Sequence, residues 1–163
     1  MKSALRPVVL ILGLVACGLI AVAASTVADQ SERWTIRYEI DLPRRAVLRV
    51  ENRLVIDVEN VGDAAIPDVG LKINRAFANI ATITATDPRG RIDDAPTERR
   101  IYFGSLSAGA RARYTIRFSP QRIGIHRAAI RVVGASRGLE PRTLLDQSSG
   151  SEQFIGEIEV IER

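Results

Sequence analysis

The sequence predicts an all-β protein, an antiparallel β-sandwich of about seven or eight strands preceded by one N-terminal hydrophobic helix. Beyond residue 33, apolar and polar residues alternate, and Gly, Pro, Asn and Asp interrupt the alternation at intervals of about ten residues. Before that point, residues 7–24 carry no charge, which predicts a helix for a membrane or a translocon. The 163 residues therefore divide into a leader, residues 1–28, and one domain, residues 29–163.

The leader has the features of an export signal. Lys2 and Arg6 precede the apolar run, and positive charges there stay in the cytoplasm, so we expect the domain outside it. Retention as a membrane anchor suits the length, because residues 8–24 are all apolar or small and residues 25–28 extend them toward the roughly 20 that span a bilayer. Cleavage after residue 23 or 28 is the alternative, since small residues stand at the first and third positions before both points.

Lipidation of Cys17 is a third fate for the leader. Leu14-Val15-Ala16-Cys17 resembles a bacterial lipobox, although apolar residues 18–22 follow where a polar tether is expected. Cys17 is otherwise a small apolar residue of a membrane helix. Because it is the only cysteine, no disulfide bond stabilises the domain, and its stability must come from its core.

The composition predicts a globular domain of nearly neutral charge. Hydrophobic residues make up 46% of the chain and charged residues 26%, which is typical of a packed core. Residues 1–28 hold two of the 23 basic residues and none of the 19 acidic ones, so the domain has a net charge near +2. Nucleic acid is therefore not a predicted partner.

Alternation predicts each strand of the domain in turn. In the first, apolar residues from Trp34 to Leu42 share one face, and Pro43 ends it. The predicted strands are residues 34–42, 47–60, 69–73, 80–86, 100–104, 112–118, 127–133 and 154–161. The connections are turns at 60–63, 87–90 and 106–109, a polar loop at 92–99 and a long polar connection at 134–152. We predict no helix in the domain.

Four residues are predicted to have structural roles at turns and strand ends. Asn60 and Gly62 suit left-handed or side-chain-bonded turn conformations, as does Gly109. Pro120 cannot donate to a β-ladder and should end its strand. Replacing any of the four should weaken folding.

The same segments carry a family resemblance. Residues 54–63 followed by Val69-Gly70-Leu71, residues 103–109, and residues 114–120 resemble bacterial cell-adhesion-related domains (CARDB-type) and similar immunoglobulin-like repeats of envelope proteins. Gly124-Ile125-His126 stands where such domains open their next strand. The resemblance covers about residues 47–161 and implies an immunoglobulin-like sandwich. Its motifs indicate fold and carry no chemistry, and the connection 134–152 is longer than the family's usual hairpin.

The sequence offers little for catalysis, and we expect a protein that is not an enzyme. His126 is the only histidine, which excludes a multi-histidine zinc site within one chain, and it is expected to be a partly buried residue at a strand edge. A hydrolase triad would need Ser119 or Ser136, but no Gly-x-Ser-x-Gly occurs. Phosphate-binding glycine motifs are also absent. We therefore predict no cofactor.

Two charged groups are candidate binding sites. A weak calcium site is conceivable in the loop 87–99, although solvated acids are the favoured interpretation; the acids are Asp87, Asp93, Asp94 and Glu98. The outward face of a later strand forms a possible anion patch of Arg111, Arg113 and Arg117. Asp57 and Glu59 lie on a strand expected to be its neighbour, which predicts cross-strand ion pairs that weaken the patch.

The expected function is a non-enzymatic interaction or structural module of the cell envelope, either held at the membrane by residues 7–28 or free if the leader is cleaved. Its partner would be an unknown envelope protein or a glycan. The alternatives are a polysaccharide- or anion-binding module and an accessory subunit of an envelope complex. Loops 61–68, 87–99 and 134–152 are the predicted places of contact.

Overall fold

The computed structural model describes residues 34–136 and 139–163, and all predictions about the leader lie outside these residues. The described residues form eleven strands and one short helix: β1 (Ile36–Asp41), β2 (Arg45–Val47), β3 (Asn52–Asn60), β4 (Ile66–Asn74), α1 (Arg75–Ile80), β5 (Ala81–Asp87), β6 (Arg91–Asp94), β7 (Glu98–Leu106), β8 (Arg111–Pro120), β9 (Gly124–Ala135), β10 (Arg142–Thr143) and β11 (Phe154–Ile161). Within the described ranges, no helix has the length and apolar character to cross a membrane.

Two sheets form a β-sandwich, as the alternation predicted, while the predicted N-terminal helix lies outside the described residues. The four-stranded sheet has the order β1-β3-β8-β5. The seven-stranded sheet has the order β2-β11-β9-β4-β7-β6, with β10 paired to β9. One hydrophobic cluster contains buried residues of both sheets, because each strand turns alternate side chains inward.

The core follows the predicted alternation. Ile56, Leu71 and Ile130 are fully buried. Ile56 and Ile130 each stand between two more exposed residues, and Leu71 stands between buried Gly70 and the more exposed Lys72. Phe77 of α1 meets Phe118 of β8 edge-to-face, with ring centroids 5.7 Å apart. Trp34 packs against the core as predicted, and its indole Nε1 donates to the carbonyl of Ala65 at 3.1 Å.

Several details of the prediction were wrong. The described strands number eleven because β2, β6 and β10, which are two to four residues long, are too short for alternation to reveal. All four residues of β6 are exposed, so this strand looked like a polar loop. The pairing of β2 with β11 is parallel, and α1 was missed because six residues are too few for a helical period.

The connection after β9 begins later than predicted, and part of it is hydrogen-bonded to both sheets. β9 continues to Ala135, and the backbone N–H of Leu144, a buried residue, donates to Val132 of the seven-stranded sheet at 2.9 Å. Farther along, the N–H of Gln147 donates to Ile36 of the four-stranded sheet at 2.8 Å. Residues 144–147 therefore connect β9 of one sheet to β1, an edge strand of the other.

Candidate functional site

The outer face of the four-stranded sheet carries charges in register across neighbouring strands. In the first row, Arg37 of β1 and Arg111 of β8 both stand opposite Glu59 of β3. Each guanidinium approaches one carboxylate oxygen of Glu59 at 3.1 Å. One acid thus neutralises two flanking arginines in part.

The second row contains the tightest of these contacts. Glu39, Asp57 and Arg113 stand side by side on β1, β3 and β8. Arg113 donates to Asp57 through Nε at 2.7 Å and Nη2 at 2.8 Å, which is a bidentate pair. These hydrogen bonds hold the pKa of Asp57 below its usual value and raise the pKa of Arg113. The cross-strand ion pairs predicted from the sequence are therefore present.

Both rows line a shallow depression of about 890 Å³. Tyr38 and Ser148 lie at its edge. The depression is open to solvent, and its walls are charged side chains held by cross-strand contacts, so it offers a patterned polar surface rather than an enclosed pocket.

The third and fourth rows continue the same face. In the third row, Val55 stands opposite Thr115, with Asp41 and Asp87 on the outer strands. In the fourth row, Arg53 stands opposite Arg117, and no ion pair of the described residues includes either. The three arginines predicted as one patch thus differ, since Arg111 and Arg113 are paired with acids whereas Arg117 faces another arginine. The sequence analysis missed Arg53 because the register of β3 against β8 was needed to find it.

Three of the four acids considered as a calcium site form ion pairs with arginine or lysine side chains. Asp94 contacts Arg75 at 2.7 Å and Arg99 at 2.8 Å, and the hydrogen bond from Arg99 is the main cause of its lowered pKa. Glu98 contacts Arg100 at 2.7 Å and Lys72 at 3.5 Å.

Asp93 lies 3.7 Å from Arg91, and Asp87 is the last residue of β5. Nowhere in the described part of the chain do three acidic, histidine or cysteine side chains gather as they would around a metal ion.

His126 lies near the start of β9, partly buried. Its Nε2 is 2.9 Å from the carbonyl oxygen of Arg122. Ser119 is the penultimate residue of β8, and Ser136 follows β9. Among the described residues, no hydrogen bond joins His126 to Ser119 or Ser136.

Asn60 organises the turns at one end of the sandwich. It is fully buried, and its side-chain Nδ2 donates to the carbonyls of Ala64, Leu106 and Ser107 at 2.9–3.1 Å. Its Oδ1 accepts from the N–H of Gly62 at 3.1 Å. One side chain therefore ties the loop after β3 to the end of β7.

The other two predicted turn residues lie at opposite ends of β8. Gly109 has a φ of +70°, a conformation that favours glycine, and its N–H donates to the carbonyl of Asn60 at 2.8 Å. Pro120 is the last residue of β8 and is buried, and its carbonyl accepts from the N–H of Arg49 at 2.8 Å.

Asp146 is a second buried polar residue, and the sequence analysis missed it. Only 3% of it is exposed. Its carboxylate accepts hydrogen bonds from the hydroxyls of Ser148 and Ser149 at 2.5 and 2.6 Å and from the N–H of Tyr38 at 3.2 Å. Burial raises its pKa, but the hydrogen bonds outweigh burial and hold the pKa at about 2.

The fold resembles two solved structures at low sequence identity. No family model matches the chain, and no curated protein matches it. A cohesin module from a Clostridium perfringens family 33 glycoside hydrolase aligns with a TM-score of 0.53 and 12% identity over 80% of this chain and 99% of that one. The CARDB domain of the PF1109 protein from Pyrococcus furiosus, described in complex with di-metal ions, aligns with a TM-score of 0.50 and 12% identity over 80% of this chain and 97% of that one.

These similarities concern the fold. The domain has an immunoglobulin-like β-sandwich fold similar to that of the CARDB domain, as the sequence resemblance indicated.

Proposed function

We propose that this chain is a non-enzymatic interaction module, exported and held at the membrane by residues 7–28, and that its contact surface is the outer face of the four-stranded sheet. The observation that carries the proposal is the fixed charge pattern on a face that remains open. Arg37, Glu59 and Arg111 form one row, and Asp57 with Arg113 forms the next. Such a pattern selects partners of complementary charge.

The outer face of the seven-stranded sheet is a poorer candidate. There Tyr102, Val133 and Ala135 form a separate buried cluster, and the guanidinium of Arg91 lies over the Tyr102 ring at 4.6 Å from its centroid. Among residues 34–136 and 139–163, the two charged rows of the four-stranded sheet line an open depression.

The size of the open face favours a transient contact. A strand spacing of about 4.8 Å and a rise of about 3.4 Å per residue give four strands of roughly eight residues an area of roughly 500 Å². Stable complexes bury about 800 Å² on each partner. A partner therefore binds weakly through this face alone or also contacts a neighbouring loop.

The contact surface can be tested by site-specific photo-cross-linking in a bacterial host that expresses the full chain. A photo-reactive residue at Thr115, in the middle of the face, should give a discrete cross-linked species. The same residue at Arg131, on the outer face of the other sheet, serves as the control. Equal cross-linking from both positions would contradict the proposed surface.

The charge pattern can be tested by an exchange within one ion pair. Asp57→Arg combined with Arg113→Asp keeps an opposite-charge pair in the same register but inverts the pattern presented to a partner. We expect this variant to fold normally and to lose the species cross-linked from Thr115. Retention of that species would show that the charge pattern does not select the partner.

The tether is tested separately. Protease added to spheroplasts should degrade the domain, and the membrane fraction should contain the chain with the intact mass of residues 1–163. A soluble species beginning at Ala24 or Asp29 would contradict the anchor while leaving export intact, and a domain protected from protease would contradict export.

A further inference from the structure

We propose that Arg53 and Arg117 form a binding site for the anionic groups of an acidic polysaccharide, such as its sulfate or carboxylate groups. This inference rests on the proposed function, since it names the ligand class for one end of the same face. The first two rows of the sheet pair arginine with an acid across β3 and β8, whereas the fourth row pairs arginine with arginine.

The fourth row places like charges opposite each other. Along β3 and β8 the register pairs Glu59 with Arg111 and Asp57 with Arg113, but it pairs Arg53 with Arg117. Opposite charges stabilise directly facing cross-strand positions, and like charges destabilise them. An anion bound between the two guanidinium groups would turn this repulsion into attraction.

Among the described residues, no acid forms an ion pair with Arg53 or Arg117. Asp41 and Asp87 stand in the third row, one position along on the outer strands, and no ion pair of the described residues joins them to Arg53 or Arg117. Glu51 accepts a hydrogen bond from Thr84 at 2.9 Å. Both arginines are exposed, so their forks of N–H donors are available to a planar or tetrahedral anion.

The surroundings favour a sugar chain over other anionic ligands. Three hydroxyl side chains stand near the two arginines and can donate to and accept from sugar hydroxyls: Thr82 of β5 with Thr115 and Ser119 of β8. None of the large exposed apolar residues of the described chain lies on β1, β3, β5 or β8. The face therefore has no side chain suited to insertion into a lipid surface.

One two-arginine site gives weak binding to a single anionic group. A polymer that repeats this group raises the apparent affinity, because a neighbouring unit rebinds when one dissociates. We therefore expect measurable binding to a polysaccharide and little binding to the free anion.

The test measures binding of the full chain, in detergent micelles, to immobilised dextran sulfate, with neutral dextran as the reference surface. R53Q/R117Q should lower the affinity at least about tenfold, and the dependence of affinity on salt should weaken. R127Q/R131Q removes the same charge from the outer face of the other sheet and should change the affinity less than about twofold. Thermal melting checks that both variants remain folded.

Three outcomes would overturn the proposal. The first is an equal loss in both double variants, which would mean attraction to total charge only. The second is no binding of the wild-type chain to dextran sulfate. The third is stronger binding to phosphatidylglycerol vesicles than to dextran sulfate, with the same dependence on Arg53 and Arg117, which would make the site a lipid site. The cross-link from Thr115 should persist in R53Q/R117Q if another partner uses the face, so the proposed function can survive when the ligand class fails.

Discussion

Asn60 and Asp146 are both buried polar residues, and each joins separate segments of the chain by different chemistry: Asn60 joins the loop after β3 to the end of β7, and Asp146 joins its own loop to β1. Ile36, the first residue of β1, stands opposite Asn60 of β3 on one side and forms a bridge with Asp146 on the other. Asn60 is neutral and both donates and accepts. Asp146 is ionised and only accepts.

The difference determines how each residue responds to acid. An amide side chain does not titrate, so the stability that Asn60 contributes is independent of pH. Asp146 has a folded pKa of about 2 against an unfolded value of 3.8. Its contribution is complete above the unfolded pKa and is lost as the pH falls from about 4 through about 2. The contribution of Asn60 to the free energy of unfolding is therefore constant with pH, whereas that of Asp146 is lost in acid.

The largest expected effect comes from Asn60. Asn60→Ala removes the side-chain donor to the carbonyls of Ala64, Leu106 and Ser107. The Ser107 carbonyl still accepts from the N–H of Ala110, and the loss at the other two should lower the free energy of unfolding by about 3 kcal/mol. Asn60→Asp should cost at least as much, because it places an acceptor against three acceptors. Urea denaturation, monitored by tryptophan fluorescence, measures the free energy of unfolding of both variants. An Asp variant as stable as the wild type would contradict the donor role of Nδ2.

The second expected effect is a difference in how the contributions of Asn60 and Asp146 to the free energy of unfolding depend on pH. The difference in unfolding free energy between the wild type and Asp146→Asn should shrink by about 2 kcal/mol between about pH 5 and about pH 2, because the wild-type carboxylate becomes protonated and the amide does not titrate. The corresponding difference for Asn60→Ala should stay constant. Urea melts at several pH values measure both differences. Parallel pH profiles for all three proteins would refute the ionised state of Asp146.

A smaller effect is expected from the serines that hold Asp146. Ser149→Ala removes a hydroxyl donor 2.6 Å from the carboxylate and should cost about 1 kcal/mol near neutral pH. It should also raise the pKa of Asp146 toward 3.8, which NMR titration of the carboxyl carbon can follow. Ser151→Ala is the matched control, since Ser151 donates to the carbonyl of Gln153 rather than to Asp146.

The smallest effect is expected at the solvated ion pairs. Arg113→Gln breaks the bidentate contact with Asp57, but both side chains are largely exposed, so water replaces the lost hydrogen bonds. The urea midpoint should match that of Arg127→Gln, a change on the other sheet. A clearly lower midpoint for Arg113→Gln would mean that the charged rows stabilise the sandwich as well as pattern its surface.

The structural role of Asn60 can be predicted from the sequence, whereas that of Asp146 cannot, and the reason is physical. Asn60 ends a long alternating strand and precedes Val61-Gly62-Asp63, so local turn chemistry marks it. Asp146 lies in a serine-rich stretch that looks like a solvated loop, and its burial depends on β1, more than 100 residues earlier. Alternation likewise predicts which residues of β3 and β8 face outward, but the facing of Arg53 and Arg117 depends on a register that only the folded pairing sets.

The parallel pairing of β2 with β11 has a mechanical consequence. β1 begins beside Asn60 at one end of the sandwich, whereas Ile161 ends β11 beside Val47 and Leu48, close to the opposite end marked by Pro120. A force applied between Trp34 and Arg163 therefore acts along the strands. It is perpendicular to the hydrogen bonds of the three β2–β11 residue pairs and of the six β1–β3 residue pairs. The bonds are then loaded together in shear rather than opened one by one, and the domain should resist extension until they fail as a group.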